Sequence, residues 1–136
     1  LRGEGAWMGA ADGTSRDLRV TPAVATRQMN GMASWQYFPE PLRSTLPGRF
    51  PAFLEVGSLR CCGQEYRLAA AGRLQFLLYG ALNPWDHAPG VLLYSEAGGY
   101  ARLLDGRPYA STERPAGLLC PPDEASWQEI RSILLD

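Results

Sequence analysis

Lysine is absent from this 136-residue chain, and all thirteen of its basic residues are arginine. Fourteen acidic residues bring the net charge to −1, so the arginine bias reads as genome composition rather than as a basic binding surface. A balance so close to neutral excludes the electrostatic footprint of a nucleic-acid partner or an anionic membrane surface. Histidine occurs once, at His87, and cysteine three times, at Cys61, Cys62 and Cys120. An odd cysteine count excludes a closed disulfide framework. The adjacency of Cys61 and Cys62, with a single histidine in the chain, lacks the ligand spacing of a zinc knuckle. No apolar run approaches the ~20 residues of a membrane-spanning helix. The first residue is Leu, and no basic and apolar leader pattern follows it. These features are the expectation for reduced thiols in a cytoplasmic protein, and for a chain whose natural start lies upstream.

What is present is ordinary for a globular domain. Apolar residues make 46% of the chain and charged residues 20%, and the length suffices for one domain with a real core. Short strands are predicted at Gly5–Met8 and Leu18–Val20. The Asp12-Gly13 dipeptide between them marks a hairpin turn. Residues Gln28–Phe50 read as irregular, with Pro39, Pro41 and Pro47 limiting helix to a short piece near Leu42–Leu46. Ala52–Val56 reads as a strand, Gln64–Ala71 as a helix ended by Gly72, and Leu74–Tyr79 as a buried strand. Tyr100–Leu104 reads as a strand leading to a turn at Asp105-Gly106, and Ala116–Cys120 as another strand. A last helix starts at Pro122-Asp123 and runs towards Leu135, with Trp127, Ile130 and Leu134 on one face. Strands alternating with helices predict an α/β layered sandwich: a mixed sheet of about five strands with flanking helices.

The segment Asn83-Pro84-Trp85-Asp86-His87-Ala88-Pro89-Gly90, followed by Glu96-Ala97-Gly98-Gly99, carries the most chemistry. Asp86 stands just before an apolar-periodic stretch with a proline three residues on, which is a helix-start pattern, and Gly98-Gly99 stops that helix. A helix over Asp86–Ala97 is therefore predicted, with Asp86 at its N-terminus, where a carboxylate suits the dipole. On these residues alone Asp86 is a cap. Glu96 lies ten residues later, ~15 Å along the same helix, too far to share an ion with Asp86. It reads as a structural carboxylate at the helix end. Trp85 reads as a core residue, and His87 as either reaching the site or facing solvent.

These segments resemble the C-terminal signature of the inositol monophosphatase family, Trp-Asp-x-Ala-Ala-Gly followed at short distance by Glu-Ala-Gly-Gly. The resemblance extends in order to Arg2-Gly3-Glu4-Gly5-Ala6-Trp7-Met8, to Leu68–Arg73, to the strand Leu74–Tyr79, to the strand and turn over Tyr100–Pro108, and to the strand and helix over Ala116–Leu135. It spans nearly the whole chain, 1–136, but only the second half of the family fold. The resemblance implies Asp86 as a ligand to a catalytic Mg²⁺ and a small phosphate ester as substrate. It also implies a homodimer, since family members often are. The family's substrate-holding Gly-Ser-Ala-Ala segment corresponds to the stretch containing Gly63 and Glu65, with Arg60 beside it. Its inositol-contacting glutamate, seven residues before the metal-binding aspartate, corresponds to Tyr79. That replacement puts inositol itself in question.

Two family motifs are missing: Gly-Glu-Glu, and Asp-Pro-x-Asp-Gly-Thr, which supply the other metal ligands. Asp12-Gly13-Thr14 imitates the end of the second but reads as a hairpin turn, and Gly3-Glu4-Gly5 has a single glutamate. One carboxylate cannot hold a pair of Mg²⁺ ions. The expectation is the C-terminal part of a Mg²⁺-dependent phosphatase, inactive as this chain alone. The alternative is a non-catalytic truncated domain with a binding or structural role.

Overall fold

Phe76-Leu77-Leu78-Tyr79 has no polar face, so as a strand it needs cover on both sides. The computed structural model, which describes residues 3–112 and 117–136, gives it that cover. The chain runs β1 (Trp7–Gly9), β2 (Ser15–Asp17), β3 (Asn30–Ser34), α1 (Leu42–Thr45), β4 (Glu55–Gly57), α2 (Cys62–Ala70), β5 (Phe76–Tyr79), α3 (Pro84–Glu96), β6 (Arg102–Leu103), β7 (Leu118–Cys120) and α4 (Glu124–Leu135). Five strands form one mixed sheet in the order β4-β3-β5-β7-β6. Strands β3, β4 and β5 are parallel, and β7 runs antiparallel to both its neighbours.

Alternation along β5 sorts the core into two layers. Phe76 and Leu78 point to one face, where they meet Met29, Phe53, Leu119 and the α4 residues Trp127, Ile130 and Leu134. Leu77 and Tyr79 point to the other, against Tyr66 and Ala69 of α2 and Tyr94 of α3. The expected α/β sandwich is therefore present, with α2 and α3 on one face and α4 on the other. Its last helix begins as the residues dictate: the Asp123 side chain accepts from the Ser126 N–H at 2.8 Å.

The largest departure from expectation is β3. Asn30-Gly31-Met32-Ala33-Ser34 has no β-branched residue and reads as irregular, yet it is the strand between β4 and β5. The weak local preference has a packing cause. A Cβ at Gly31 would overlap the Phe76 ring on the neighbouring strand, so only glycine fits. The first strand of the next unit also shifts. Residues Leu46–Ala52 form a 3₁₀ helix containing Pro51, and pairing starts only at Glu55 rather than Ala52.

Other differences are of boundary. In the hairpin, Asp12 accepts from both the N–H and the hydroxyl of Thr14, at 2.9 and 2.7 Å, and Gly13 takes φ +83°. This tight turn brings Ser15–Asp17 into pairing, and Leu18 turns inward to a buried position instead of opening the strand. Helix α2 starts at Cys62, two residues before the expected Gln64. Strand β6 is limited to Arg102–Leu103, and Ala116, expected to open β7, lies outside the described residues. Among the described residues no helix is long and apolar enough to cross a membrane.

Candidate active site

The carboxyl ends of the three parallel strands lie at one edge of the sheet, where α/β folds place their ligands. A cleft of about 970 Å³ opens there. Ser34 at the end of β3 and Tyr37 after it border the cleft, as do Ser58 and Arg60 after β4, Tyr79 at the end of β5 and Ala81 after it. The first turns of α2 and α3 complete the wall, through Cys61, Cys62 and Gly63 on one side and Asn83, Asp86 and His87 on the other. Two helix N-termini thus face one cavity, each with its partial positive charge.

Asp86 is not the cap that the residue pattern predicts. Helix α3 starts two residues earlier, with Asn83 in the capping position and Pro84 in the first turn. The α3 residues that turn inward are His87, Gly90 and Tyr94, at helical spacing. Asp86 falls off that face and is exposed, bordering the cleft. Its carboxylate accepts from Asn83 Nδ2 at 3.3 Å, and its backbone carbonyl accepts from the Cys62 thiol at 3.4 Å. Among the described residues no basic side chain pairs with it. The same geometry corrects Trp85. Two residues from His87, it sits on the outer side of the turn and is 71% exposed, not in the core.

His87 is buried. Its Nδ1 lies 3.1 Å from Tyr66 Oη, and it also hydrogen-bonds the backbone of Ala81. Burial lowers its pKa below the usual imidazole value, while the Asp86 carboxylate pulls the other way. Gly90, one turn on, is where α3 crosses α2. A Cβ there would overlap the Tyr66 ring, so glycine sets the distance between the two helices.

Glu65 does not border the cleft. It is 1% exposed and lies behind the wall. One carboxylate oxygen accepts from the Leu59 N–H at 2.8 Å, and the other from Tyr79 Oη at 2.9 Å. Burial and the neighbouring Glu65 carboxylate raise the Tyr79 pKa well beyond its ordinary value. Gly63, in the first turn of α2, borders the cleft directly. Arg60 does so with a left-handed backbone, φ 54°, which non-glycine residues seldom adopt. The cysteines are free thiols: Cys61 exposed, Cys62 half-buried, Cys120 buried. Burial and the nearby Asp86 raise the Cys62 pKa, so its thiol stays protonated.

Of the three carboxylates weighed as further metal ligands, Glu4 does not border the cleft and the other two are engaged elsewhere. Asp12 closes the hairpin turn. Glu96 accepts from the N–H groups of Gly3 and Gly5, at 2.8 and 2.9 Å, and fastens the N-terminal arm to the end of α3. Among the described residues Asp86 is the only carboxylate bordering the cleft, and no group of three or more His, Cys, Asp or Glu residues is gathered for an ion. Mg²⁺ takes hard oxygen ligands in near-octahedral array. The described residues fit one such ligand and do not fit a complete site.

No family model matches the chain, and no curated protein matches it in sequence. Solved structures do. An inositol monophosphatase from Zymomonas mobilis superposes with a TM-score of 0.78 at 16% identity, covering 94% of this chain and 52% of its own. A staphylococcal IMPase-II gives 0.77 at 21% identity, covering 98% and 51%. SuhB of Mycobacterium tuberculosis gives 0.75 at 20% identity, covering 97% and 50%. The chain has the fold of half an inositol monophosphatase. It spans about half the length of each of these inositol monophosphatase structures, and nearly all of it is used in the match.

Neither the Tyr66–His87 contact nor the burial of Glu65 is legible in the sequence. The signal available was the run of polar and aromatic residues, Gln64-Glu65-Tyr66, where the resemblance has small ones.

Proposed function

We propose that this chain is the C-terminal part of a Mg²⁺-dependent phosphomonoesterase of the inositol monophosphatase family, acting on an inositol phosphate, a sugar phosphate or a related small phosphate ester. The observation that carries this reading is Asp86: an exposed carboxylate without a basic partner among the described residues, on the first turn of a helix, at the carboxyl ends of three parallel strands. The Trp85-Asp86 and Glu96-Ala97-Gly98-Gly99 segments add the family resemblance, and the fold agrees with it.

Asp86 would supply one oxygen ligand to the metal. The remaining ligands would come from outside the described residues. When bound, Mg²⁺ would polarise the phosphoryl group and neutralise charge on the leaving oxygen. The chain's own residues bind and orient. Arg60 draws the anionic substrate to the cleft. The first turns of α2 and α3, with Gly63 at the surface of one, set their dipoles towards that charge. Glu65, behind the wall and held by the Tyr79 hydroxyl, fastens the loop that carries Arg60 through the Leu59 N–H. The protein is read as cytoplasmic, with a small-molecule partner and neither nucleic acid nor membrane.

The test has two readouts. Titrating Mn²⁺ into the isotope-labelled chain should broaden amide signals around Asp86 first, and Asp86→Asn should abolish that local broadening. Phosphate release from a panel of inositol and sugar phosphates should be negligible for the 136-residue chain. It should appear when the upstream coding sequence is included, and fall at least about a hundredfold with Asp86→Asn, as expected for loss of a metal ligand. Robust turnover by the short chain would move the metal site to residues assigned here to turns. Full activity of the longer Asn variant would remove the metal role from Asp86.

A further inference from the structure

Cys61 and Cys62 stand side by side on the wall of the cleft, and the phosphate-ester reading uses neither. Cys61 takes the capping position of α2 with an extended backbone, φ −148° and ψ 90°, and it is exposed. Cys62 opens the helix and is half-buried. Its thiol donates to the Asp86 carbonyl of α3 at 3.4 Å. Gly63 follows, and the space where a Cβ would stand on it is open.

Two chemistries suit adjacent thiols, and the backbone decides between them. The peptide joining the two cysteines is trans, which sets their Cα atoms about 3.8 Å apart. A disulfide ordinarily spans about 4.4–6.8 Å between Cα atoms, so direct oxidation of the pair would strain this segment. An ion between the sulfurs makes no such demand. With metal–sulfur bonds of about 2.3 Å the sulfurs can stand roughly 4 Å apart.

The surrounding donors then select the ion. Zinc in a structural site takes four ligands, and among the described residues no group of three His, Cys, Asp or Glu is gathered. His87 is engaged by Tyr66 and by the Ala81 backbone, and the Asp86 carboxylate by Asn83. Hard ions such as Mg²⁺ take oxygen and not sulfur. A cuprous ion is soft, prefers thiolate, and is satisfied by two of them.

We infer that Cys61 and Cys62 form a two-thiolate clasp for a cuprous ion on the wall of the cleft. This does not rest on the phosphatase reading. Binding breaks both S–H bonds, forms two Cu–S bonds and releases two protons to solvent, with no change of oxidation state. The product is a bis-thiolate of charge −1. The N-terminal dipole of α2 and the neighbouring Arg60 favour that charge, and the Asp86 carboxylate opposes it. Loss of the Cys62 proton also removes the bond to the Asp86 carbonyl, so occupancy is felt at the first turn of α3.

The test uses the 136-residue chain and cuprous ion, under exclusion of oxygen, in competition with the chromophoric chelator bicinchoninate. The chain should withdraw about one equivalent of copper and elute from gel filtration as the unloaded chain does. Cys61→Ser and Cys62→Ser should each weaken binding at least about a hundredfold. Cys120→Ala, in the core, should leave it unchanged. Asp86→Asn should bind as tightly or more so, because the carboxylate is no ligand here. Cys61 is exposed, so its serine variant decides the matter even where Cys62→Ser perturbs the helix. Four results overturn the inference: no copper withdrawn, full binding by Cys61→Ser, binding lost in Asp86→Asn, or copper held between two chains at doubled mass, which would leave Cys61 acting alone. None of these readouts involves phosphate or Mg²⁺, so this inference and the phosphatase reading fail separately.

Discussion

Tyr66 of α2 and His87 of α3 meet at 3.1 Å, Oη to Nδ1, in a site where both side chains are buried. The contact ties the first turn that carries Asp86 to the helix on the other side of the cleft. It also makes the fold sensitive to mild acid. Burial lowers the folded-state pKa of His87 below its ordinary value, so the unfolded chain takes up the proton first. The resulting stability is fully present above about pH 6.5 and is lost as the pH falls from there towards the depressed folded-state value. The lowered carboxylates, Asp12, Glu40, Glu96 and Asp105, act in a separate, more acidic window. Urea midpoints measured between about pH 7.5 and pH 5 should therefore decline in the wild type. His87→Gln should flatten that decline, and a slope unchanged in the variant would show that another group titrates.

Glu65 is a buried carboxylate that accepts from the Leu59 N–H, from the Tyr79 hydroxyl and, at 3.5 Å, from the Ser58 hydroxyl. Glu65→Ala leaves the buried Tyr79 hydroxyl and the part-buried Leu59 N–H without this acceptor, at a cost of about 2–4 kcal/mol. Glu65→Gln keeps one acceptor oxygen and should cost about half as much. Amide exchange at Leu59 distinguishes local from global effects. Acceleration at Leu59 and Arg60 greater than that in β5 is the expected pattern, because the Glu65 bond fastens that loop. Equal acceleration everywhere would mean that Glu65 serves the core and not the loop.

Much of the fold was legible in the sequence because its strongest signals are local. The apolar block of β5, the Asp123 cap and the Trp127–Ile130–Leu134 stripe each determine an element through their own neighbours. The resemblance around Asp86 placed one side of the cleft for the same reason, a compact motif on one helix. What was not legible depends on partners distant in sequence. Gly31 is a strand residue only because Phe76, forty-five positions later, covers it. Glu65 looks like a surface residue until Tyr79 and Leu59 are brought to it. Trp85 looks like core because tryptophan usually is, and the phase of α3, set by Gly90 and Tyr94, turns it outward.

The N-terminal arm gives a third prediction. Glu96 holds the N–H groups of Gly3 and Gly5 through both carboxylate oxygens. Those bonds lower its pKa, so the clamp holds at neutral pH and is lost as the pH falls through that lowered value. Glu96→Ala should release the arm while leaving the sheet in place. Limited proteolysis should then cut before Ala6 at neutral pH in the variant and not in the wild type. Equal resistance in both would show that the buried contacts of Ala6 and Leu18 secure the arm by themselves.

Gly90 joins packing to the site. Helix α3 crosses α2 with its backbone against the Tyr66 ring, and a Cβ at residue 90 would overlap that ring. The ring cannot swing away cheaply, because its hydroxyl is held by His87 and its other face packs near Tyr79. Gly90→Ala should thus gain helix propensity of about 1 kcal/mol but lose about 1–3 kcal/mol to overpacking, for a net loss of stability. The relief available is a small outward shift of α3, which carries Asp86 with it and widens the cleft. A second substitution separates the two effects. Tyr66→Phe keeps the ring, so adding it to Gly90→Ala should not restore stability. Tyr66→Leu removes the ring edge, and together with Gly90→Ala it should recover part of the loss. Thermal melts of the four variants measure this coupling. Additive losses for Gly90→Ala and Tyr66→Leu would show that the glycine is not there for the tyrosine, and the account of how α3 is seated would have to be abandoned.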